Sequence, residues 1–143
     1  MKEYIHKVKY YETDKMGITH HSNYIRWMEE ARIDFLDQIG YGYDKLEADG
    51  IMSPVIGIEC DYKMPTTFAD EVSIIAGIKE FKGVKLMIEY VMKNAKTNEI
   101  VFKGISKHCF TNKENKPIIL KKEFPDLDLK FKELANGNMQ IDK

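Results

Sequence analysis

The chain has 143 residues, with 22 Lys and Arg against 23 Asp and Glu, so it lacks the broad basic field that gathers nucleic acid, and no nucleic-acid partner is expected. Its length suits one domain spanning residues 1–143, able to bury roughly two thirds of its unfolded surface around a single core. The opening MKEYIHKVKYYETD places charges where a signal peptide needs an apolar run. No later stretch approaches the roughly 18 apolar residues of a membrane span, so the expectation is a soluble, cytoplasmic protein without one.

Residues 3–10 alternate as a half-exposed strand, with Tyr4, His6, Val8 and Tyr10 on one face and Lys7 and Lys9 on the other; His6 reads as a surface or rim residue. A polar loop follows, holding Asp14, Gly17, His20 and His21, and Ser22 and Asn23 are suited to start a helix. From there Tyr24, Met28, Ala31 and Phe35 recur on one face, widened by Trp27 and Leu36, with Arg26, Glu29, Glu30, Asp34 and Asp37 opposite. This is the pattern of a long core helix. Gly40 and Gly42 end it, YDKLEAD supplies one or two further helical turns, and Gly50 stops those.

Four strands come next. Val55 to Lys63 points Ile56, Ile58, Cys60 and Tyr62 inward and ends before Pro65; Asp70 to Phe81 does the same with Val72, Ile74, Ala76 and Ile78. Lys82-Gly83 reads as a tight turn into Val84 to Lys93, whose inner face is Val84, Leu86, Ile88, Tyr90 and Met92, and Asn94 to Asn98 turns the chain into Ile100 to Thr111. The tail carries a short amphipathic helix, PDLDLKFKELANG, closed by Asn136-Gly137, with NMQIDK expected to fray. Cys60 and Cys109 read as buried or half-buried thiols rather than members of a pair. Strand, long helix and four strands on short turns predict an α+β fold with an antiparallel sheet, because parallel strands would need crossovers that these connections cannot hold.

The stretch Tyr10 to Leu36 resembles the hotdog-fold acyl-CoA thioesterases of the 4-hydroxybenzoyl-CoA thioesterase type. That family places an Asp, a Gly three positions on, a His seven after the Asp, and then Asn-Tyr opening a long helix; here these are Asp14, Gly17, His21, Asn23 and Tyr24. The similarity continues through Asp61-Tyr62, Pro65 and Asp70, over about residues 3 to 120. His20, Lys15 and Met16 depart from the residues frequent at those places. The resemblance implies a single hotdog domain, a curved five-stranded antiparallel sheet in the order 1-3-4-5-2 wrapped around one central helix. It also implies hydrolysis of an acyl-CoA thioester, with no cofactor because CoA is part of the substrate. The expected assembly is a homodimer or homotetramer, with Val55 to Lys63 as the edge strand.

Thioester hydrolysis needs a base for water or a carboxylate to attack the carbonyl carbon, and Asp14 can serve either way. On spacing alone, Asp14 reads equally as a turn residue. The oxyanion needs backbone N–H donors at the helix start, for which the amides of His21 and Ser22 are nearest, and by resemblance the thioester oxygen meets the amide at His21. The His21 imidazole either assists Asp14 or packs at the helix entrance. Gly17, Ser22, Asn23, Tyr24 and Met28 border the substrate, although the apolar stripe reads first as core. Lys82, Lys103 and Lys107, with Lys63 and His108, are the candidates for CoA phosphates. The adjacent histidines lack further spaced ligands, so no metal site is expected. Acyl groups on acyl carrier protein are the alternative substrate, and a non-catalytic acyl-CoA-binding module is the alternative outside the enzymes.

Overall fold

The computed structural model describes residues 2–136. In chain order it contains β1 (Tyr4–Lys7), a 3-10 turn (Tyr10–Glu12), α1 (Asn23–Gln38), α2 (Tyr43–Ala48), β2 (Val55–Tyr62), β3 (Glu71–Phe81), β4 (Lys85–Asn94), β5 (Ile100–Cys109), α3 (Leu120–Glu123) and α4 (Pro125–Asn136). The strands form one antiparallel sheet in the order β1-β3-β4-β5-β2. This is the hotdog order, with β1 and β2 as the edges. Gly137 and the tail expected to fray lie outside the described residues.

α1 buries the stripe that its periodicity predicts: Tyr24, Trp27, Met28, Ala31, Phe35 and Leu36 are all inside. It stops because Gly40 adopts a left-handed φ of 88°. That lets the Gly40 amide reach the Asp37 carbonyl at 3.1 Å and the Tyr41 amide reach that of Leu36 at 2.9 Å, which satisfies the last helical acceptors. α2 ends by the same pair of bonds around Gly50.

The inner face of the sheet is built in rows. Ile74 pairs with Met92 and Met92 with Phe102; Ala76 with Tyr90 and Tyr90 with Gly104; Ile78 with Ile88 and Ile88 with Ser106. α1 lies over β3 and β1. α4 closes the other end of the core, where Phe131 meets Phe81 and Phe110 with ring centroids 5.5 and 5.9 Å apart. A polar string crosses this apolar layer. Arg32 donates to the Tyr90 hydroxyl at 3.1 Å, and 2.7 and 2.8 Å contacts join Tyr90 to Ser106 and Ser106 to His108 Nε2. The His108 Nδ1 lies 3.2 Å from the Ser53 carbonyl. With Nδ1 carrying the proton, every donor in the string finds an acceptor, as buried polar groups require.

Four expectations are corrected. β1 ends at Lys7 and the chain turns through a 3-10 segment, so Tyr10 is exposed instead of inward. His6 is buried rather than at the rim, because Trp27 stacks on it with centroids 4.5 Å apart and Glu12 bonds it. On β2, Ile56 and Tyr62 remain exposed while Ile58 and Cys60 are half-buried, because the strand lies at the edge of the sheet. Val84 belongs to the turn after Gly83 and is exposed. Cys109, like Cys60, is half-buried.

Gly104 is what lets the helix settle onto β5. A Cβ there would stand 2.7 Å from the Phe102 ring and 3.0 Å from both the Sδ and the Cε of Met28. Gly104→Ala is therefore expected to cost about 1–3 kcal/mol through overpacking. Urea denaturation checks it, and a midpoint equal to the parent's would contradict this packing.

Candidate active site

The loop between the 3-10 turn and α1 is a small closed hairpin. The amide of Asp14 donates to the Ile18 carbonyl at 2.9 Å, that of Gly17 to the Asp14 carbonyl at 3.0 Å, and that of His20 to the Glu12 carbonyl at 2.8 Å. Gly17 sits at φ 80°, where a side chain would strain the turn. The loop rests on the β2–β3 connection: the Thr19 amide donates to the Thr66 carbonyl at 2.8 Å, the two threonine hydroxyls lie 2.6 Å apart, and the Tyr24 hydroxyl is 3.0 Å from that of Thr66. Asp14 is half-buried, and its Oδ1 accepts the Met16 amide at 2.8 Å. Its other oxygen has no hydrogen bond among the described residues.

At the helix start the two candidate oxyanion donors separate. The Ser22 amide points at the His20 ring nitrogen, 3.2 Å away, and the Ser22 hydroxyl lies 2.9 Å from the same atom. The His21 amide meets no acceptor among the described residues. Asn23, the first residue of α1, turns its side-chain amide back to donate to the carbonyls of Glu12 and His20 at 2.9 and 3.1 Å, so it fastens loop to helix. The His21 ring is exposed and stacks on His20 with centroids 4.3 Å apart. No hydrogen bond joins it to Asp14 among the described residues.

Two contributors were not among the site residues expected from the sequence. Tyr62, at the end of β2, donates its hydroxyl to the His21 carbonyl at 3.1 Å. Its ring meets Tyr24 and Phe102 with centroids 5.4 and 5.3 Å apart. Glu12 is the second. Its carboxylate is only 6% exposed and accepts the Lys9 amide, Trp27 Nε1 and a contact from His6 Nε2, each at 2.8 Å. Burial alone would raise its pKa, but the bonds from His6, Lys9 and Trp27 outweigh burial and hold it below the ordinary carboxyl range.

The remaining candidates lie elsewhere. Tyr24 and Met28 are core residues, Met28 with no exposure at all. Lys82 stands in the β3–β4 turn, 3.1 Å from Glu80. Lys103 and Lys107 project from the outer face of β5, where Lys107 meets Glu59 at 3.1 Å. A cavity of about 330 Å³ on that face, lined by Val91, Ile105, Glu59, Asp61, Lys79 and Lys103 among others, includes neither Asp14 nor His21. His108 is corrected outright: it is 1% exposed inside the polar string and cannot meet a phosphate.

The fold and this loop-to-helix junction define a hotdog protein with the Asp14 carboxylate and the His21 amide, unpaired among the described residues, at the start of its central helix. Residues 8–133 match the family model of the thioesterase-like superfamily, and the chain belongs to that family. Among its relatives is YneP of Bacillus subtilis, provisionally named an acyl-CoA thioesterase, at 36% identity over 121 residues, 84% of this chain and 87% of that one. Among solved structures, a DHNA-CoA thioesterase from Staphylococcus aureus superposes with a TM-score of 0.90 at 28% identity, covering 99% of this chain and 96% of its own. The gentisyl-coenzyme A thioesterase BH1999 superposes with a TM-score of 0.78 at 28% identity, covering 87% and 99%.

His108 also sets a pH dependence. Burial, with the Arg32 charge adding to it and the bond to Ser53 opposing it, pulls its pKa down to about 4 from the ordinary 6.5. As pH falls from about 6.5 to 4 the unfolded chain takes up a proton that the folded chain refuses, so stability drops over that window by up to about 3 kcal/mol and levels off below it. Above pH 6.5 the residue contributes no slope. His108→Gln is expected to flatten this part of the stability profile in denaturant titrations, and parallel profiles for parent and variant would contradict the assignment.

Proposed function

We propose that this chain is an acyl-CoA thioesterase whose reaction takes place where the Asp14 loop meets the start of α1. The acyl-CoA thioester is hydrolysed to the free carboxylic acid and CoA. The observation that carries the site assignment is the unpaired His21 amide, one residue beyond the His20–Glu12 bond and on the same closed loop as Asp14. In this reading the thioester oxygen takes the His21 amide, reinforced by the positive end of α1, as the carbonyl becomes tetrahedral. The Asp14 carboxylate draws a proton from the attacking water or attacks the carbonyl carbon itself. In the first route the C–S bond then breaks, Asp14 returns its proton to the CoA sulfur and the free acid is left. In the second CoA leaves as its thiolate, and water hydrolyses the acyl–Asp14 anhydride to release the acid and restore the carboxylate. No cofactor enters this scheme, and the His21 imidazole orients Asp14 or the water from the loop's exposed side.

Gly17, Ser22 and Asn23 are proposed at the carbonyl; Met28, with no exposure, and Tyr24, almost fully buried, support that end from the core and do not line it. The phosphate-rich end calls for cations, and Lys82, Lys103 and Lys107 are proposed for it. Because Lys103 and Lys107 leave the face of the sheet opposite α1, they would serve the thioester site of a neighbouring copy, which ties the rim to a homodimer or homotetramer. The free edge of β2, with Val55, Ile56 and Tyr62 exposed, supports pairing between copies. Among the described residues no helix is long and apolar enough to cross a membrane, and we place the enzyme in the cytoplasm, with acyl-CoA as its partner.

The test is release of free thiol from aliphatic and aromatic acyl-CoAs and from acyl carrier protein thioesters. Asp14→Asn keeps the shape and removes the base or nucleophile, so turnover of the preferred acyl-CoA should fall about 10²-fold or more. A folded variant working at the parent's rate would refute the site. Neutralising Lys103 and Lys107 together should raise KM for acyl-CoAs and weaken its salt dependence. Equal losses on thioesters lacking the nucleotide would remove those lysines from the binding surface.

A further inference from the structure

Five hydrogen-bonding groups converge on the oxygens of one residue that the reaction does not consume. Through its carboxylate, Glu12 is tied to β1 by His6 Nε2, to the cap just before the 3-10 turn by the Lys9 amide and to α1 by Trp27 Nε1, each at 2.8 Å. Through its carbonyl, it holds the His20 amide at 2.8 Å and the Asn23 side-chain amide at 2.9 Å. His6 is itself held on its far side, with Nδ1 3.2 Å from Glu30 Oε1, which also accepts the Tyr4 hydroxyl at 2.7 Å.

A buried carboxylate with three donors has little freedom to move without leaving a polar group unpaired. Its own carbonyl is therefore fixed relative to both β1 and α1. Fixing that carbonyl fixes His20, and so the direction of the His21 amide that follows; it also sets where the loop departs toward Asp14, two residues on. We propose that Glu12 is the positioning residue of the thioesterase site, holding Asp14 and the His21 amide in register through its two opposed sets of bonds. The inference rests on the reading that those two groups act on the thioester.

Glu12→Gln is nearly isosteric, yet whichever way its amide is turned an N–H faces Trp27 Nε1 or the Lys9 amide, donor against donor. The expected result, measured well below the variant's melting temperature, is a fall in kcat of about 10-fold or more with KM for acyl-CoA within about threefold. Leu127→Ala in α4, far from the loop and destabilising in its own right, should lower the melting temperature and leave kcat alone. Introduced on top of Asp14→Asn, Glu12→Gln should cost clearly less than it does in the parent. The share of its effect that passes through Asp14 is already removed there, while the share that passes through the His21 amide remains. The chain's single tryptophan is one of the donors, so its fluorescence should shift in Glu12→Gln and report the lost bond directly.

A parent-like kcat in folded Glu12→Gln overturns the proposal. So does the same fold loss in the parent and Asp14→Asn backgrounds, which would make the effect general. Should Glu12→Gln fail to fold, Trp27→Phe removes one donor and keeps an aromatic ring there, and a kcat unchanged there overturns the proposal as well. Failure of the underlying site reading appears separately, as Asp14→Asn alone retaining the parent's rate.

Discussion

A carboxylate kept from water must be satisfied inside the protein, and Glu12 meets that demand by drawing three segments of chain onto one group. The donors come from β1, from the residue that caps the 3-10 turn and from the first turns of α1. Neither β1, with four residues, nor the 3-10 turn, with three, is long enough to be held by apolar contact alone. The charge stays on because the three bonds outweigh desolvation. Where the chain would otherwise leave the sheet as a free loop, it is fastened at the place where the reacting groups are proposed to stand.

The rest of the fold serves the same junction from below. Tyr24 carries the helix start onto Phe102, with rings stacked at 5.0 Å, and reaches Thr66 through its hydroxyl, while Thr66 holds Thr19 of the loop. Gly104 lets Met28 sink against β5, which brings the first two turns of α1 down to the sheet. Tyr62 then reaches across from the edge strand to the His21 carbonyl. The apolar stripe and the sheet rows thus set the height of the helix, and the polar bonds above them set the loop. An unpaired amide on such a support is a fixed donor, the kind of group suited to developing negative charge because it need not reorganise.

The elements with strong periodicity were legible in the sequence, since burial follows face: the six stripe residues of α1 and the inward sets of β3 and of β4 from Leu86 to Met92 are where the alternation puts them. The order of the strands came by way of the family resemblance. Periodicity misled where partners are distant. His6 read as a rim residue because nothing along β1 indicates that Trp27, twenty-one positions on, will cover it. His108 read as a strand cation because its partners Ser106, Tyr90 and Arg32 lie on three different elements. Glu12 gave no signal beyond an acid in a polar loop, since each of its donors is separate in the chain. Tyr62 was visible as a strand end, but its reach to His21 depends on β2 being the outermost strand beside β5. Residue types at the site could be read; their hydrogen bonds needed the fold.

The central claim is that the thioester carbonyl is held by the His21 amide beside Asp14. It is tested most directly by isotope-edited infrared spectroscopy of an acyl-CoA, labelled with carbon-13 at the thioester carbonyl and bound to Asp14→Asn so that turnover is slow. The account predicts a carbonyl stretch shifted to lower frequency than that of the same ester free in water, because a fixed backbone donor polarises the bond before attack. A bound ester whose carbonyl absorbs at or above its free value would contradict it.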